Sequence, residues 1–98
     1  MRGLDKKVAV VTGGSGAIGR SICRRFAEEG MHIGIFDIDE DSALETVQLV
    51  ERSGGKASAY KVDITDYEAV KKSKEIFEDK AGSIDILINN AGWDRLEN

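Results

Sequence analysis

Thr12-Gly13-Gly14-Ser15-Gly16-Ala17-Ile18-Gly19 is the segment whose residue types and spacing could do chemistry. An apolar run ends at Thr12, and a helical pattern opens at Ala17. A diphosphate needs backbone N–H groups at close range, and residues without a Cβ let the chain approach it while turning sharply. Gly14, Gly16 and Gly19 spell G-x-G-x-x-G, while Thr12, Gly13, Ala17 and Gly19 spell T-G-x-x-x-[AG]-x-G. The first pattern alone would also suit a glycine-rich turn with no ligand. Its place after a strand, at the mouth of a helix and within a βαβ unit of about 30 residues points to a dinucleotide pyrophosphate. The helix would offer unbonded N–H groups and the positive end of its dipole.

Asp37 is the second candidate, at the end of the next apolar run and eighteen positions after Gly19. That is near the spacing at which an acid reaches the adenosine ribose, where a carboxylate accepts from the hydroxyls and repels a 2′-phosphate. No arginine or lysine stands at Gly14 to Gly16 or directly after Asp37. The expectation is therefore NAD over NADP. The competing reading makes Asp37 a helix-leading acid, since Asp39, Glu40 and Asp41 follow.

Other chemistries find little support. Cys23 is the single cysteine, flanked by Ile22 and Phe26 in the helical pattern, and is expected to be a small core residue. His32 is the single histidine, so no catalytic triad or zinc site can be built from several histidines of this chain, and it is expected at a strand edge. No metal ligands are assigned. Tyr67 and Lys71 have Y-x-x-x-K spacing, but any two residues four apart share a helical face. Lys71 belongs to a lysine-rich stretch read as a solvated face, so no catalytic residue is assigned to this chain.

The elements that must position these residues alternate strictly. Strands are expected at Lys7 to Val11, Met31 to Phe36, Lys56 to Asp63 and Ile84 to Ile88. A first helix from Ala17 would turn Ile18, Ile22, Cys23, Phe26 and Ala27 inward and stop at Gly30; a second would bury Leu44, Val47 and Val50 and stop at Gly54-Gly55. Ser42 and Glu45 have capping-box spacing, with Asp39 as an earlier alternative. Thr65 and Glu68 repeat that spacing before a third helix with Val70, Ser73, Ile76 and Phe77 on one side and Lys71, Lys72, Lys74, Glu75 and Glu78 on the other. Gly82 would end it. The alternation requires parallel strands joined by right-handed crossovers. The expected fold is a partial three-layer α/β Rossmann-type sheet in strand order 3-2-1-4, with the first two helices on one face and the third on the other.

The 98 residues suit one core and one domain unit, 1–98. Eighteen acidic against fourteen basic residues give a net charge of −4 with no basic stripe, which argues against nucleic acid. The beginning MRGLDKK lacks the apolar stretch of a secretory signal, and no apolar run approaches the roughly 20 residues that span a bilayer. A cytoplasmic protein without a membrane partner is expected.

With these motifs in place the chain resembles the classical branch of the short-chain dehydrogenase/reductase family over its whole length. Thr12 to Gly19 is similar to that family's cofactor turn, Asp63 to the acid after strand 3 that contacts adenine, and Asn89-Asn90-Ala91-Gly92 to its NNAG motif. Ala17 stands where classical members usually carry glycine. The resemblance implies an oxidoreductase passing hydride between NAD and an alcohol or carbonyl substrate. It implies cofactor contacts from Thr12, Gly13, Ser15, Gly16, Ala17, Ile18, Gly19, Asp37, Ile38, Asp63, Ile64, Asn89, Asn90, Ala91 and Gly92. Thr12 would tie the turn to NNAG, Ile18 would approach the phosphates, and Asn89 to Gly92 would floor the ribose and nicotinamide.

The family's serine, tyrosine and lysine belong on elements after NNAG, and Asn98 stands six positions past Gly92. The resemblance thus implies the amino-terminal half of the cofactor domain, inactive without the remainder, with substrate engaged only in a longer form. Two alternatives stand beside it: a non-catalytic dinucleotide-binding module, and a fragment that self-associates through the edge of strand 4, where Ile84, Ile86, Leu87 and Ile88 lie.

Overall fold

The computed structural model describes residues 6–14 and 16–90. Strands β1 (Val8–Thr12), β2 (His32–Asp37), β3 (Lys56–Lys61) and β4 (Ile86–Asn89) alternate with helices α1 (Ala17–Glu28), α2 (Glu40–Arg52) and α3 (Tyr67–Ala81). All pairings are parallel and the order is β3-β2-β1-β4, as the alternation requires. β1 lies between β2 and β4, which explains why all five of its residues are buried.

Successive side chains of each strand point to opposite faces, and two cores result. Ala9, Val11, Ile33 and Ile35 pack under α1 and α2 with Cys23, Ala27, Ala43 and Val50. Val8, Val10 and Phe36 face α3 and pack with Phe77 and Val62. Phe77 lies over Gly34, where a Cβ would come within 2.9 Å of its ring. His32 and Tyr60 meet that ring edge-on at 5.3 and 5.9 Å. His32 thus opens β2 against α3, and Cys23 is a core residue whose thiol burial pushes up to about 12.

The helix ends follow local chemistry, with shifts from the expected boundaries. In α1, the amides of Gly30 and Met31 donate to Ala27 and Phe26 carbonyls, a left-handed glycine stop (φ 77°) followed by a buried apolar residue. Gly54 and Gly55 repeat the pattern after α2, and Gly82 (φ 101°) ends α3. Asp39, not Ser42, caps α2: its carboxylate accepts from the Ser42 amide at 3.1 Å and hydroxyl at 2.9 Å. Those bonds, the amide's foremost, hold the Asp39 carboxyl below its usual range. Asp66 caps α3 in place of Thr65, because the Thr65 hydroxyl donates to Asp63 at 2.7 Å.

Three apolar residues assigned inward are instead exposed: Ile18 (41%), Leu44 (49%) and Ile76 (49%). Ala43 and Thr46 take the buried positions on α2. The sheet accepts only a narrow arc of each helix, narrower than the apolar arc written in the sequence. Lys74 and Glu78 on the supposedly solvated side of α3 are half-buried, and Glu78 accepts from the Ile84 amide at 3.2 Å. Ile84 precedes β4 and joins the α3-side core, while Asp85 pins the strand entry, its carboxylate accepting from the Val8 amide at 2.9 Å.

Candidate functional site

The carboxyl ends of β1, β2 and β3 meet the amino end of α1, because parallel pairing puts every strand's exit on one rim. Register pairs Thr12 with Phe36 and Asp37 with Lys61, so the residues after each strand converge. Gly13, Phe36, Asp37, Ile38, Val62, Asp63 and Ile64 line one notch there. Five of the seven were singled out in the sequence; Phe36 and Val62, the apolar floor, were not.

Gly13 makes the turn possible. Its φ of 68° is left-handed, its amide donates to the Phe36 carbonyl at 2.8 Å, and its own carbonyl accepts from the Gly16 amide at 3.3 Å. Gly19 lets α1 start directly on this turn: a Cβ there would lie 2.2 Å from the Gly13 oxygen and 2.7 Å from Gly14 Cα. The Arg20 amide, bonded to the Gly16 carbonyl at 2.8 Å, begins the helical ladder. The amides of Ala17, Ile18 and Gly19 precede it and have no intrahelical carbonyl to meet, which is the donor set an anion takes at a helix start.

Asp37 ends β2 on the notch wall, and its Oδ1 accepts from the Asp39 amide at 2.9 Å. Asp63 faces it from beyond β3, its Oδ1 accepting from the Thr65 amide at 2.9 Å. Both carboxylates are therefore oriented by amides two residues ahead. Ile38 and Ile64 flank them as apolar walls.

A second hollow adjoins the first on the α3 side, lined in part by Thr12, Leu87, Asn89 and Lys74, with Phe36 and Ile64 common to both. Thr12 bridges here to β4, its hydroxyl within 3.1 Å of Asn89 Oδ1 and 3.3 Å of the Ile88 carbonyl. Asn90 is buried and donates from Nδ2 to the Gly13 carbonyl at 3.1 Å. Thr12 and Asn90 thus fasten the glycine turn to the end of β4, the tie that the resemblance implied for Thr12. Ser15, Ala91 and Gly92 lie outside the described residues.

The remaining candidates fall elsewhere. Tyr67 (74% exposed) and Lys71 lie on α3 along a surface groove with Val70 and Glu75, and neither lines the notch. Among the described residues no three His, Cys, Asp or Glu side chains gather as a metal site would need. No helix among them is long and apolar enough to cross a membrane.

The short chain dehydrogenase family model matches residues 7–98. The chain belongs to that family. Among short chain dehydrogenase relatives, an uncharacterized oxidoreductase of Bacillus subtilis, YxbG, is 40% identical over 92 residues, covering 94% of this chain and 34% of the relative. The 7alpha-hydroxysteroid dehydrogenase of Escherichia coli K12 is 37% identical over 89 residues, covering 91% of this chain and 35% of the enzyme. The NAD+-bound structure of a xylitol dehydrogenase superposes with a TM-score of 0.84 at 32% identity, over 88% of this chain and 33% of that one. The chain therefore spans about one third of the length of these three relatives.

Sequence reasoning missed Arg20 and Thr46. Thr46 is fully buried and donates to the Gly14 carbonyl, and Arg20 Nε donates to Thr46. The signal available was a lone hydroxyl among apolar residues on the inward arc of α2.

Proposed function

We propose that this segment binds the adenosine and pyrophosphate portions of NAD. One observation carries the reading: the notch lined by Gly13, Asp37, Ile38, Asp63 and Ile64 opens at the end of β1 where α1 begins. The amides of Ala17, Ile18 and Gly19 suit the pyrophosphate, with Gly13 and Gly16 shaping the turn around it and Ser15 as a further cofactor contact. Asp37 takes the ribose hydroxyls, and Asp63 with Ile38 and Ile64 encloses the adenine. Thr12 and Asn89 to Gly92 serve the nicotinamide side.

The Asp37 carboxylate on the notch wall favours an unphosphorylated ribose, because a 2′-phosphate beside it would meet like charge. The NAD+-bound xylitol dehydrogenase supports the same cofactor class. In the whole protein the bound nicotinamide supplies hydride exchange with an alcohol or carbonyl substrate. The contribution of this segment is to hold and orient the cofactor as the first part of a Rossmann domain.

Calorimetric titration with NAD and NADP tests the reading. NAD binds more tightly than NADP, and Asp37→Ala narrows the gap. Equal affinities in the unsubstituted chain would remove Asp37 from the ribose site, and no binding of either would sink the assignment.

A second reading rests on β4, a sheet edge among the described residues with Leu87 58% exposed. Such an edge recruits a strand, here from a second copy. Sedimentation at rising concentration then gives a dimer; a monomer throughout would dismiss it.

A further inference from the structure

Two carbonyl oxygens of the glycine turn are occupied from outside the turn. The Gly13 oxygen takes Asn90 Nδ2, and the Gly14 oxygen takes the Thr46 hydroxyl at 3.2 Å, across 32 positions of sequence. The Thr46 oxygen is equally near the Ser42 carbonyl, also 3.2 Å, and a hydroxyl has one proton to give. Arg20 decides between them. Its Nε donates to Thr46 Oγ1 at 3.1 Å, filling an acceptor site, while its Nη2 supplies a donor to the Ser42 carbonyl at 3.4 Å. With Ser42 supplied by the guanidinium, the Thr46 proton is directed to Gly14. Glu45 holds the guanidinium in place at 3.3 Å.

We propose that Arg20 and Thr46 are positioning residues for the pyrophosphate turn, setting dinucleotide affinity although neither lines the notch. The physical reason is polarity. An anion bound at the mouth of α1 is attracted by amides and repelled by carbonyl oxygens, so the turn works only while its oxygens are drawn inward. Gly14 has no side chain to anchor it, and a buried acceptor without a donor is costly enough to drive the peptide toward other orientations. Thr46 supplies the donor from α2, and Arg20, one residue past Gly19, aims it. This inference rests on the NAD reading above, with the turn's geometry as a separate handle.

The test uses the chain with Thr46→Val, which keeps the β-branched shape, and Thr46→Ser, which keeps the hydroxyl. Arg20→Lys keeps the charge but removes the Nε donor. NAD and ADP-ribose are titrated beside adenosine, which reaches Asp37 and Asp63 but carries no pyrophosphate. Thr46→Val is expected to weaken NAD and ADP-ribose by about tenfold, the order set by one unsatisfied buried acceptor, and to leave adenosine unchanged. Thr46→Ser retains wild-type binding and Arg20→Lys falls between. If Thr46→Val binds NAD as the wild type does, or weakens adenosine by the same factor, the pair is not a positioning device. Should the wild type bind no NAD, the proposed function falls and amide exchange decides the pair. The Gly13 and Gly16 amides then exchange about tenfold faster in Thr46→Val if the turn depends on it, and unchanged exchange overturns the inference.

Discussion

Gly19→Ala sets two effects of opposite sign against each other within one methyl group. Gly19 lies inside α1, where helix propensity alone favours alanine over glycine by about 1 kcal/mol. Against that, the new Cβ would sit 2.2 Å from the Gly13 oxygen, 2.7 Å from Gly14 Cα and 3.0 Å from the Gly13 carbonyl carbon. These are backbone atoms, and the Gly13 oxygen is already held by the Gly16 amide and Asn90. Relief requires α1 to withdraw from the turn at the upper end of the roughly 1–3 kcal/mol typical of overpacking, or beyond it. The net expectation is a loss of about 2 kcal/mol, a fall of roughly 10 °C in Tm for a domain of this size. NAD affinity falls with it, because the first-turn amides move with the helix. Gly14→Ala is the comparison: its Cβ would meet Ile35 Cγ2 at 2.6 Å, on a stiff β-branched side chain fully buried in the core, so it too loses stability, through the core and not through the contact of α1 with the turn. Thermal melts and NAD titration of both variants give the answer. A Gly19→Ala protein as stable as the wild type, or more so, would refute the steric account and leave propensity as the stronger effect.

Three further outcomes follow from the packing. Phe77→Ala removes the ring that His32, Tyr60 and Gly34 surround and should cost about 3–5 kcal/mol by urea denaturation; a loss under about 1 kcal/mol would mean that the α3-side core collapses around the gap. Cys23, buried with its thiol pushed up to about 12, should resist a thiol reagent at pH 8 until the chain unfolds; labelling at the rate of a free thiol in the native protein would contradict its burial. Burial, then the charges of Lys80 and Lys56, lowers the His32 pKa, so the fold disfavours the protonated ring. Its contribution is present above the ordinary 6.5 and is lost as pH falls from there through the folded value. Wild-type stability should therefore drop more than that of His32→Gln between pH 7 and 5, and parallel curves would rule this out.

The order of elements was legible because the apolar period changes at each boundary and glycine marks each helix end. Gly30, Gly54 and Gly82 all adopt positive φ. Helix faces were less legible. Ile18, Leu44 and Ile76 fit the 3.6 period and are nonetheless exposed, since periodicity names an apolar arc without saying which part of it the sheet accepts. Caps failed where two candidates stood side by side: Thr65 and Asp66 are both good caps, and Asp63 took the Thr65 hydroxyl. Most of the notch was visible as motif. Its apolar floor, Phe36 and Val62, was not, because an apolar residue at a strand's end looks like any other core residue.

From the chain alone came the succession β-α-β-α-β-α-β, the glycine turn and the acids at the ends of the second and third strands, since each depends on residues within one or two turns of one another. Folding in three dimensions decided which groups face each other across the rim: Thr12 with Asn89, Asn90 with Gly13, and Thr46 between Arg20 and Gly14. Those partners are separated by between 26 and 77 positions, and no local period encodes them. They are set by strand register and by how closely α1 and α2 approach, and both depend on the packing of the whole sheet.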